Sequence, residues 1–86
     1  MVVIELYGVP RLRAGTDAVE VDARSLGEAI AALGARCPAL SPHVVDGGRL
    51  GASYLVAVNG RQITADPETP LREGDVVVLL SADAGG

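Results

Sequence analysis

Lysine is absent from this chain, phenylalanine and tryptophan are absent too, and there is one cysteine. Each absence excludes something. Without lysine no side-chain amine can accept an isopeptide bond, so the chain cannot be extended upon itself. All seven cations are arginine, against eleven carboxylates, and the formal charge is −4. An acidic chain with two aromatics and no cation cluster lacks the electrostatic footprint of a nucleic-acid binder. Its charge suits a basic partner surface instead. A single cysteine rules out an internal disulfide and the four-thiolate iron–sulfur sites, so packing alone must hold the fold. No apolar run approaches the roughly 18 residues of a membrane span. The opening Met1-Val2-Val3-Ile4-Glu5 lacks the basic segment and long apolar stretch of a secretion signal. The expectation is a soluble cytoplasmic protein with one modest core in its 86 residues.

What remains is strongly patterned. Val2, Ile4 and Leu6 alternate with Val3, Glu5 and Tyr7, which predicts a strand with one core-facing side. Gly8 and Pro10 end it, and Arg11 to Thr16 reads as a turn. Val19 and Val21, interleaved with Ala18, Glu20 and Asp22, give a second strand, so the first two read as a hairpin. Ser25-Leu26-Gly27-Glu28 is a capping-box pattern. Leu26, Ala29, Ile30 and Leu33 then recur at helical spacing, and Gly34, Pro38 and Pro42 predict the helix end. Pro38 to Ala52 reads as a loop turning at Gly47-Gly48, with Val44, Val45 and Leu50 covering one end of the core. Tyr54 to Val58 is a strand, Asn59-Gly60 a tight turn and Arg61 to Thr64 a short return strand. Leu71 to Asp75 then feeds the final strand at Val76.

This order predicts an α+β domain in which a mixed sheet packs on one main helix, the β-grasp or ubiquitin-like arrangement, with the first and last strands central. The continuous run Val76-Val77-Val78-Leu79-Leu80 suits a strand flanked on both sides. If only one face meets the helix, Val3, Val77 and Leu79 are expected on the other, as a partner-docking patch. Self-association or cover by the long loop are its alternatives. After Ser81 the chain runs through Ala82, Asp83 and Ala84 to Gly85-Gly86. Glycine lacks a Cβ and threads narrow passages. The expected division is thus residues 1–81 as the domain and 82–86 as a flexible tail carrying an unhindered carboxylate.

Three stretches in this order, Val58-Asn59-Gly60, Leu71-Arg72-Glu73-Gly74-Asp75-Val76 and Ala84-Gly85-Gly86, resemble the sulfur-carrier family of MoaD/ThiS type. It includes the small subunit of molybdopterin synthase and the thiazole-pathway carrier. The resemblance spans essentially the whole chain. It implies a carrier that is not itself an enzyme and binds no cofactor. An E1-like adenylating enzyme of MoeB/ThiF type, using ATP and magnesium, would activate the carboxylate of Gly86, which sulfur then converts to a thiocarboxylate. Gly85, Ala84, Asp83 and Ala82 would be the threaded tail. The length of the Pro38–Ala52 insertion tilts the resemblance toward molybdopterin biosynthesis, with the large molybdopterin synthase subunit receiving the sulfur. Leu80-Ser81-Ala82-Asp83 departs from the prolines and aromatic common before the glycines in that branch. Thiazole, cysteine or tRNA-thiolation carriers therefore stay open, as does a ubiquitin-like modifier or interaction module.

Other residues read as structural. Cys37 fits a small half-buried residue, and a persulfide relay there lacks a charged activating neighbour. His43 has no second ligand nearby, so no metal site is expected. Asp66, Glu68, Glu73 and Asp75 suit turn chemistry, with arginine docking as the alternative. Gly47-Gly48 lacks the lysine and spacing of a phosphate loop.

Overall fold

The computed structural model describes residues 1–81. Residues 82–86, and with them the expected tail from Ala82 to Gly86, lie outside the described part. Five strands form one mixed sheet: β1 (Val2–Glu5), β2 (Ala18–Val21), β5 (Tyr54–Val58), β6 (Gln62–Thr64) and β7 (Val76–Ser81), in the order β2-β1-β7-β5-β6. The pair β3 (Val45–Asp46) and β4 (Arg49–Leu50) forms a separate hairpin. The helix α2 (Leu26–Arg36) lies across one face of the sheet, which is the predicted β-grasp architecture. β7 is the middle strand, parallel to β1 and antiparallel to β5.

The helix forms where the capping box places it. The Ser25 hydroxyl accepts the Glu28 backbone N–H at 3.2 Å, and the Glu28 carboxylate accepts the Arg24 N–H at 2.9 Å. One orphan N–H of the first turn is thereby satisfied, and the chain leading into the helix is tied back to that turn. Leu26, Ala29, Ile30 and Leu33 are all buried, against Val2, Ile4, Leu6, Val56, Val77 and Leu79 of the sheet side. The helix passes through Gly34 and ends at Arg36, two residues later than the glycine suggested. Gly34 serves packing rather than termination: a Cβ there would meet Val45 Cγ1 at 2.8 Å.

Between β1 and β2 the expected turn is a helix, α1 (Gly8–Ala14), although the two strands pair antiparallel as predicted. Pro10 sits in its first turn, where the missing N–H would have had no helical partner, so it does not break the helix. Gly15, at φ 74°, closes it, and its N–H is donated to the Arg11 carbonyl at 3.0 Å. Pro10 is buried and Ala14, one turn on, packs on the core.

The 38–52 segment is more ordered than a plain loop. A short 3-10 turn (Pro38–Leu40) inserts the fully buried Leu40, and Val44 and Val45 close that end of the core. The β3–β4 hairpin turns at Gly47-Gly48, both at positive φ, as the glycine pair predicts. Gly51 approaches the chain so closely that a Cβ would stand 2.4 Å from the His43 carbonyl oxygen.

Candidate functional site

The site is organised around the two ends of β7. At its start, two of the three stretches that carry the family resemblance meet. Asn59, at φ 53°, and Gly60, at φ 68°, form the left-handed turn between β5 and β6. The Asn59 amide donates to Asp75 Oδ1 at 2.9 Å, and its oxygen accepts the Val76 N–H at 2.9 Å. Asp75 Oδ2 also accepts the Arg72 backbone N–H at 2.8 Å. The Asn59 hydrogen bond, followed by that from Arg72, holds the Asp75 carboxyl below its ordinary pKa of 3.8. This clamp sets the register in which β7 enters the sheet.

At the far end, Ser81 is paired with Tyr54, the first residue of β5. Beside that end lies a groove of about 700 Å3 between α2 and the β3–β4 hairpin. Leu26, Ile30 and Leu50 supply apolar wall, the Gly47–Arg49 turn forms the rim, and Tyr54 closes the side nearest β7.

Among the described residues, no helix covers the sheet's second face. The register puts Val3 beside Val76, Leu55 beside Leu80, and Ala57 between Val78 and Ile63 on this side. Val3, Leu55, Val76, Val78 and Leu80 are half-buried, and Ile63 is 59 % exposed. The expected docking patch of Val3, Val77 and Leu79 is therefore corrected. Val3 is on the open face, but Val77 and Leu79 are 0 % and 2 % exposed, on the helix side. A run of five apolar residues has no phase of its own. Its phase comes from pairing: Val77 lies beside the inward Ile4, and Leu79 beside the inward Val56. Anchoring the run to the β1 alternation through a parallel pair would have found Val76, Val78 and Leu80 instead. The groove had no such signal, because its walls come from three separated stretches.

Three acidic residues of the later turns have partners. Asp66 accepts the Glu68 N–H at 2.9 Å, Glu73 pairs with the Met1 ammonium, and Asp75 belongs to the clamp. Cys37 caps the end of α2 and is half-buried against the core, while His43 is exposed. Tyr7 donates its hydroxyl to Glu5 at 3.0 Å, which raises the phenol's pKa. Among the described residues, no group of three His, Cys, Asp or Glu side chains could hold a metal ion, and no helix is long and apolar enough to cross a membrane.

A five-stranded mixed sheet, one covering helix and a central last strand that ends beside an apolar groove define a ubiquitin-like β-grasp protein. The solved structures agree. Small archaeal modifier protein 1 from Haloferax volcanii superposes with a TM-score of 0.82 at 29% identity, covering 99% of this chain and 98% of that one. A Pyrococcus furiosus protein named as a candidate molybdopterin converting factor, subunit 1, gives 0.72 at 26% identity, with 93% and 94% covered. The Amycolatopsis orientalis BexX/CysO complex contains the same fold, at TM-score 0.81 and 23% identity over the full length of both chains. No curated protein matches the sequence significantly. The ThiS family model matches residues 4–86, and the chain belongs to the ThiS family, whose members are small sulfur carriers and ubiquitin-like modifiers.

Proposed function

We propose that this chain is a sulfur carrier for molybdopterin biosynthesis, acting in the cytoplasm through Gly86 and having no catalytic activity of its own. The observation that carries the reading is the family match, which runs through the terminal Gly85-Gly86. The similarity to the Pyrococcus furiosus protein supports the branch. Residues 1–81 are the recognition domain and 82–86 the delivered tail. An E1-like adenylating enzyme of MoeB/ThiF type binds the open sheet face, centred on Val3, Val76, Val78 and Leu80. There the Gly86 carboxylate attacks the α-phosphorus of magnesium-bound ATP and releases pyrophosphate. A carboxylate is a poor electrophile, and the acyl-adenylate supplies a leaving group. A sulfur nucleophile then forms the C–S bond as the C–O bond to AMP breaks. The thiocarboxylate passes to the large synthase subunit, with Gly85, Ala84, Asp83 and Ala82 threaded into its active site.

Incubation with an activating enzyme, ATP, magnesium and a sulfur donor is expected to add the mass of one sulfur-for-oxygen exchange, located on Gly86 by tandem mass spectrometry. No mass change under conditions that load a control carrier would sink the reading. A second reading, a protein modifier, is favoured by the 29% identity to small archaeal modifier protein 1. It predicts isopeptide adducts on lysines of other proteins. The lysine-free sequence permits single attachments but no chains built on its own side chains.

A further inference from the structure

A second cleft, of about 570 Å3, lies at the pole of β7 opposite Ser81, where the β5–β6 turn meets the segment leading into β7. Asn59, Arg61 and Gln62 line it from the first side, Pro70, Arg72 and Asp75 from the second. The two sides are stitched together by more than the Asn59–Asp75 bond. The Asn59 N–H donates to the Val76 carbonyl at 2.8 Å, and its side-chain oxygen accepts the Val76 N–H at 2.9 Å. The Arg61 N–H closes its own turn on the Val58 carbonyl at 3.1 Å. Arg61 and Arg72 are therefore carried on two turns held in fixed register, and both residues are exposed.

Charge in this cleft runs against that of the chain. Two arginines line it with one carboxylate, in a molecule of formal charge −4. That carboxylate, Asp75, is already occupied: one oxygen accepts the Asn59 amide at 2.9 Å, the other the Arg72 backbone N–H at 2.8 Å. These hydrogen bonds bear on it more than the Arg72 charge does. Among the described residues neither guanidinium makes a hydrogen bond or ion pair. Guanidinium forks match carboxylates and phosphates alike. The backbone separates the two. Phosphate cradles are built from convergent N–H groups, whereas those of Arg61, Arg72, Asp75 and Val76 are spent within the turns. What the cleft offers instead is side-chain donors, the two guanidiniums and the exposed Gln62 amide, with apolar surface from Val58 and Pro70. Such a lining suits the carboxylates and methylenes of acidic side chains on an extended chain.

We propose that this cleft docks an extended acidic segment of a partner protein, whose carboxylates pair with Arg61 and Arg72. The cleft stands at the other pole from Ser81, so this partner and one engaging the end of β7 can be bound together. The docking rests on no step of sulfur transfer.

The test follows amide NMR spectra of the full chain titrated with a blocked peptide of alternating glutamate and glycine. Saturable shifts are expected at Asn59, Arg61, Gln62, Arg72 and Asp75, and the affinity should fall as salt is raised. Arg61→Gln and Arg72→Gln are each expected to weaken binding about tenfold, the worth of one charge-assisted hydrogen bond. Both side chains are exposed and their guanidiniums unpaired among the described residues, so each variant should keep the parent spectrum outside the two turns. Arg13→Gln, which removes an exposed arginine of α1, should leave the affinity unchanged. No saturable shift at the cleft, or equal weakening by Arg13→Gln, overturns the proposal. Equal binding of the matching glutamine–glycine peptide does so too. Tighter binding of inorganic phosphate or of a single-stranded oligonucleotide at the same amides also overturns it, by making the cleft a phosphate site.

Discussion

The two faces of the sheet use the same residue types for opposite purposes. Along β7, Val77 and Leu79 are sealed against α2, whereas Val76, Val78 and Leu80 are half-buried on a face that no helix among the described residues covers. Composition cannot distinguish them, since both sets are valine and leucine. Only the covering element separates a residue that holds the domain together from one left available for contact. The capped α2 supplies that difference, and the Asn59–Asp75 clamp fixes which residues fall on which side.

The comparison breaks most severely at Leu79. Leu79→Ala empties a fully enclosed position and is expected to cost about 2–5 kcal/mol of folding stability, read by urea denaturation. A loss below about 1 kcal/mol would mean the helix side is not the structural one. Removing the helix cap is the next largest change. Ser25→Ala leaves the Glu28 N–H without its acceptor, and about 1 kcal/mol should be lost on the same assay. Leu80→Ala sharpens the contrast from the other face. It is expected to cost less than about 1 kcal/mol, because the half-buried side chain forfeits only part of the ~1.5–3 kcal/mol of full burial. Its effect should appear instead as weakened binding to an activating enzyme, measured by calorimetry.

The smallest effect concerns the clamp. The folded Asp75 carboxyl titrates below its ordinary value, so its contribution is present at neutral pH and is lost as pH falls through the depressed pKa. The thermal midpoint is expected to drop on acidification below about pH 4, where an ordinary carboxyl begins to protonate. Asp75→Asn should flatten part of that acid limb. Indistinguishable acid limbs in the two proteins would remove Asp75 from the register argument.

Much of this architecture was legible in the amino acids. The period of Leu26, Ala29, Ile30 and Leu33 identified the buried side of the helix, and the alternation of Val2, Ile4 and Leu6 identified the inward side of β1. Asn59-Gly60 announced its turn through the backbone angles it tolerates. Three features were hidden, each for a physical reason. Gly8-Val9-Pro10 resembles a strand terminator, but a proline in a helix's first turn costs no hydrogen bond. The β7 run is uniformly apolar, so its inward side depends on a partner more than seventy residues earlier in sequence, as Ile4 beside Val77 shows. The groove is assembled from helix, hairpin and strand, and no local pattern encodes such a meeting.

The parallel pairing of β1 and β7 has a practical consequence. Both strands begin at the same pole of the sheet, where Gly74 donates its N–H to the Met1 carbonyl at 2.9 Å, and both run toward the pole that holds Ser81. Six residues of strand separate the poles by about 20 Å. An affinity handle, fluorophore or surface anchor attached at Met1 would therefore hang from the side opposite Ser81, leaving the other pole open to an approaching enzyme.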